Sequence, residues 1–246
     1  MLYIVRWRGH AAAVWSAPAA WARWGLYCIA CIGVAHVTGA LSATFANPIV
    51  TPEQLQDPFW WISTLFLLVF IVGAYWGYWY RNTLRFNRQL DVLPQLCFGL
   101  GWGFCTGLLF LSWWHIALWL GPDRPRWGTW LLAYGLISGF QALWMDMYWD
   151  VYVSPEHDTP ESIRQKVPRT HIPNMTLCLT WFAVYENYWL FIGLQTIALL
   201  AASFGMRMPA PWKDSTPPAH RVPGLMGLPR AGGYLEPQQV SENQRF

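Results

Sequence analysis

The side chains able to do chemistry are few. Glu186 and Asn187 stand together near the middle of the run Met175–Phe204, which holds no other charged residue. A lone carboxylate in hydrocarbon costs roughly 3 kcal/mol or more, so it must be protonated, paired, or beside a polar cavity. Held there, Glu186 could pass a proton, stabilise a cation or bind a metal, with Asn187 beside it as a hydrogen-bonding neighbour. His36 and His115, each in its own apolar run, are candidate partners. Asp146 and Asp150 are four residues apart, so on a helix they share one face. With His157 or His171 they could complete a metal site of the kind helix bundles build from carboxylates and imidazoles. Each candidate also has a plain reading. Glu186 and the histidines can join one helix to another by a hydrogen bond. The two aspartates can meet water, Arg164 or Lys166 near a membrane surface.

The elements that must position these groups are membrane helices. The 246 residues are 54% hydrophobic and 12% charged, about half the charged share of an ordinary soluble domain. About 20 apolar residues cross the hydrocarbon layer. Five runs reach that length: Trp24–Phe45, Phe59–Tyr80, Leu96–Leu120, Trp127–Trp149 and Met175–Phe204. The last is long enough to tilt or protrude. The expected fold is an all-α integral membrane bundle of about five transmembrane helices over residues 1–208. A Pro/Gly-rich tail follows over 209–246, extended or disordered, because it lacks the periodic apolar residues of a core. Cys28 and Cys31 form a C-x-x-C, but all five cysteines lie in apolar runs, where they act as small apolar residues. Trp and Tyr clusters near the run ends, such as Trp60–Trp61 and Trp144–Tyr148–Trp149, read as interfacial anchors; a pigment or quinone pocket is their rival reading.

Lys and Arg gather on the cytoplasmic side of membrane proteins. Arg6, Arg8 and Arg23, the arginines of the loop after the second run and the basic residues of the long fourth loop favour a cytoplasmic N-terminus. Five spans would then leave the tail outside. The stretch Ala11–Ala20 is a poor signal-peptide core, broken by Trp15, Ser16 and Pro18, so the first span is expected to act as an uncleaved anchor in a bacterial inner membrane. The net charge of +3, without a basic run interleaved with aromatics, gives no surface for nucleic acid.

Three ordered segments resemble the A subunit of the copper-dependent membrane monooxygenases, which oxidise methane, ammonia or short alkanes. The first is Gly33-Val34-Ala35-His36-Val37 followed by Leu41. The second runs from Asp57 and Trp60-Trp61 to Gly77-Tyr78-Trp79-Tyr80-Arg81. The third is Asp146, Tyr152-Val153, Thr159-Pro160-Glu161-Ser162-Ile163-Arg164 and Arg169-Thr170. The resemblance implies a scaffold subunit that sits in the bilayer with other membrane subunits, in a complex that contains copper. It assigns no copper ligand to this chain. A second resemblance, through Asp150-Val151-Tyr152, Glu156-His157 and Asn187, is to the emopamil-binding-protein family of sterol isomerases. It implies a stand-alone isomerase or cyclase of a sterol or isoprenoid lipid, with Glu186 as acid or cation stabiliser. A structural or pigment-associated membrane subunit is the third reading.

Overall fold

The computed structural model describes residues 17–79, 92–144 and 167–205. Every regular element among them is helical. In chain order these are α1 (Ala17–Val37), α2 (Ala40–Ala46), α3 (Pro52–Gln56), α4 (Pro58–Ile71), α5 (Val92–Trp119), α6 (Arg126–Trp144), α7 (Ile172–Tyr185) and α8 (Tyr188–Gly205). Two π-helical stretches join them: Val72–Trp79 prolongs α4, and Val167–His171 leads into α7. Pro58–Tyr78 and Val92–Trp119 are long and apolar enough to cross a membrane. The bent pair Trp24–Val37 and Ala40–Ala46 makes a third such span if counted as one. The chain is a helical membrane protein, and α4 displays how such a helix divides. It buries Trp60, Leu67 and Ile71 and turns Phe59, Ile62, Phe66 and Val69 outward.

The helices alternate in direction, which gives the bundle two ends. At the first end, Trp24 Nε1 donates to the Phe98 carbonyl (3.0 Å), Ser203 Oγ to the Gln95 carbonyl (2.7 Å) and Arg169 to the Tyr78 hydroxyl (2.8 Å). At the second end, Gln54 Nε2 donates to the Tyr185 carbonyl (3.2 Å) and Asn187 Nδ2 to the Ile49 carbonyl (2.8 Å). α5 is the central post, with α8, α1 and α6 packed on it. Gly99, Gly103 and Gly107 recur every fourth residue and turn one bare stripe of α5 toward α8. Small residues at such spacing let two backbones approach closely and gain dispersion contacts where lipid supplies no hydrophobic drive. A Cβ on Gly103 would stand 2.5 Å from Thr196 Cα, so only glycine fits.

Two breaks depart from the expected spans. The first run bends by 79° between Val37 and Ala40. Gly39 adopts φ +81 there, a conformation cheap only without a Cβ, and the Thr38 hydroxyl donates back to the Val34 carbonyl. The second break overturns the continuous helix expected over Met175–Phe204. Glu186 takes a left-handed conformation (φ 48, ψ 35), which ends α7 and reverses the chain. Asn187 then starts α8, its Oδ1 accepting the Leu190 N–H at 3.0 Å as an N-cap. The two helices fold back on each other, so that Asn174 meets Gln195. The fifth run is therefore a helical hairpin, and α8 returns to the first end.

The link between α2 and α4 is tightly capped. Thr51 and Gln54 form a reciprocal capping box on α3, and Asp57 accepts the Phe59 N–H at 2.9 Å, with Pro58 at the first position of α4. The N–H of Glu53 itself, followed by the Thr51 hydroxyl, holds the exposed Glu53 carboxyl below the ordinary carboxylate range.

Candidate functional site

Two polar centres stand out, one at each level of the bundle. The hairpin turn builds the first at the second end. Glu186 forms an ion pair with Arg126, both side chains about half exposed at 53% and 55%. Its position at a chain reversal, rather than within a continuous helix, explains how the carboxylate finds a cation. Asn187 is buried, and its amide group makes three bonds: to the Ile49 carbonyl, to Gln54 Oε1 (3.0 Å) and to the Leu190 N–H. His115 Nε2 lies 3.2 Å from the Tyr188 hydroxyl, and the Nδ1 edge of the ring faces Gly39 at the bend. His36 turns outward. The structure thus brings Glu186, Asn187, His115 and Arg126 to one end. It links His115 to Tyr188, not directly to Glu186. An ion pair and a set of interhelical hydrogen bonds hold the hairpin against α3, α5 and α6.

The second centre begins where the two π-helical stretches face each other. His171 Nδ1 lies 3.0 Å from the Tyr75 hydroxyl, and Arg169 stacks its guanidinium 5.5 Å from the Tyr78 ring. Single π turns inside helices often mark functional positions. From Tyr75 the polar chain runs inward. Asn174 lies next along, where Asn174 Nδ2 donates to Gln195 Oε1 at 3.2 Å and Cys178 Sγ donates to Asn174 Oδ1 at 3.2 Å. All four side chains are buried between α4, α7 and α8. Thr64 Oγ1 and Trp60 Nε1 are buried without a hydrogen-bond partner in the chain.

Of the proposed metal ligands, His171 sits at this end, while Asp146, Asp150 and His157 lie outside the described residues. Among the described residues, no three of His, Cys, Asp and Glu gather closely enough to hold a metal ion. Cys28 and Cys31 meet Cys105 across the α1–α5 contact, where the Cys105 thiol lies 3.9 Å from the Cys28 carbonyl. All five cysteines are free thiols.

Comparison with protein families, with curated proteins and with solved structures finds no match. The functional reading therefore rests on geometry and on the residues themselves.

Reading the sequence for ionisable groups finds the hairpin end but misses the interior chain, whose key members are neutral amides. A signal is present. Asn174 and Gln195 are amides next to or within the last apolar run, and a buried amide must find partners as surely as a charge must.

Proposed function

We propose that this chain is a scaffold subunit of a hetero-oligomeric membrane oxidase, of the kind its sequence resembles in the copper-dependent monooxygenases. One observation carries the reading. The side chains most suited to chemistry at the second end, Glu186, Asn187 and His115, are bonded to Arg126, to Ile49 and Gln54, and to Tyr188. Their bonds tie the hairpin to the rest of the bundle. Copper belongs to the complex in this reading, and its ligands come from partner subunits.

The same reading places the chain in a bacterial inner membrane. All five apolar runs cross, and the last contributes both arms of its hairpin. The N-terminal segment and the tail then leave the same face. Charge supports that face as cytoplasmic: of the 16 Lys and Arg, only Arg124 and Arg126 belong to the second end. This replaces the outward tail that five single crossings would give.

Pull-down of the chain from native membranes is expected to bring down at least two other membrane subunits, with copper in the assembly. Purification as a lone active protein would overturn the proposal. The rival reading, a lipid isomerase that uses Glu186, requires Glu186→Gln to abolish turnover. The scaffold reading expects that variant to keep the assembled complex and its oxidase activity.

A further inference from the structure

We infer that the first end carries a binding site for the phosphate of an anionic phospholipid, built on Arg169 where the two π-helical stretches face each other. The inference rests on the membrane fold and not on the scaffold reading. Arg169 is exposed. Its Nη1 donates to the Tyr78 hydroxyl at 2.8 Å, and its guanidinium lies 5.5 Å from the centre of the same ring. Tyr78 is the last residue of the span Pro58–Tyr78, so Arg169 stands where hydrocarbon gives way to lipid headgroups. One layer inward, His171 Nδ1 meets the Tyr75 hydroxyl at 3.0 Å. These two links fix the Val167–His171 stretch against Val72–Trp79 and hold the guanidinium in place.

The two arginines that anchor the ends differ in what they meet. Arg126 pairs its charge with Glu186. Arg169 is held by Tyr78, a neutral side chain, and among the described residues no carboxylate bonds it. The Tyr78 bond uses one of the several N–H groups of the guanidinium. The others form the planar fork that suits phosphate oxygens. Because Tyr78 already fixes the side chain, less rotamer freedom is lost when a ligand docks. Farther toward the bilayer centre, Ile172 and Val72 are 48% and 44% exposed and offer apolar surface to acyl chains. A phosphodiester at headgroup level with hydrocarbon below it fits both parts. A free anion would use only the first. Basic positions at a membrane surface draw lipids of net negative charge, and a zwitterionic lipid brings its own cation to its phosphate.

The full chain, stripped of lipid in a neutral detergent, would be titrated with phosphatidylglycerol or with phosphatidylcholine, and retained lipid counted by native mass spectrometry. Phosphatidylglycerol should be held about tenfold more tightly, the scale of one charge-assisted bond to phosphate. Arg169→Ala should abolish that preference. Arg124→Ala, which removes an exposed cation from the turn at the other end, should keep it. Tyr78→Phe removes the hydroxyl that positions the guanidinium and should weaken the preference, which serves if Arg169→Ala does not fold. Inorganic phosphate at the concentration of the lipid should leave the lipid bound. Equal retention of the two lipids by the wild-type chain would refute the site, as would an unchanged preference in either folded variant. An equal loss in Arg124→Ala would also refute it, because overall charge would then be drawing the lipid. Displacement by inorganic phosphate would assign Arg169 to a soluble anion and end the lipid assignment.

Discussion

Asn187 concentrates more structural duty than any charged residue of the second end. Its amide serves Ile49 and Gln54 on one side and caps α8 through Leu190 on the other. Asn187→Leu removes all three bonds and the cap of α8, so it should cost about 1 to 3 kcal/mol. A denaturation series in mixed micelles, with Asn47→Ala as comparison, would measure it. Glu186 next door should behave differently. A left-handed conformation costs a non-glycine residue about 1 kcal/mol, while a half-exposed ion pair returns at most about that. Glu186→Gly is therefore expected to fall within about 1 kcal/mol of wild type in the same assay. A large loss would show that the Arg126 pair contributes far more than its exposure suggests. The sequence makes Glu186 prominent because of its charge. Its role as a helix terminator is hidden, since Glu is a good helix former; the one local hint is Asn187 beside it, an N-cap residue type. That signal is weak beside the apolar residues around it, which argue for one long span.

Among the elements, α5 and α8 depend on close contact. Gly103→Ala places a methyl against the Thr196 backbone, where no side chain can swing aside, and should destabilise by about 1 to 3 kcal/mol. A methyl at Gly135 on α6 would meet nothing within 4 Å, so Gly135→Ala should be neutral or stabilising by up to about 1 kcal/mol, from the gain in helix propensity. The same denaturation assay compares the two variants. Equal losses at both positions would mean that glycine acts through helix flexibility and not through close approach. Hydropathy locates the second and third runs to within a few residues, because length and apolarity are summed properties. It does not locate the bend at Gly39, because a single left-handed residue barely changes that sum. Interior partners are also hidden from it: Tyr75, Asn174 and Gln195 meet only once three helices are brought together.

For the whole molecule, the hairpin decides which tail faces which side. If the proposed topology holds, Asp123→Cys, in the turn between α5 and α6, should react with an impermeant maleimide added outside intact cells. Tags at the two chain ends should both be shielded until the membrane is opened. Labelling of one tag and not the other would mean that α7 and α8 do not both cross. The stripe of glycines on α5 carries a consequence for synthesis. α5 leaves the ribosome well before α8, so its bare face waits for a partner while the intervening chain is made. Assembly of the core can finish only when the closing hairpin arrives. Chains cut short before Tyr188 should therefore be recognised as incomplete and degraded, whereas loss of residues after Gly205 should leave the core able to close.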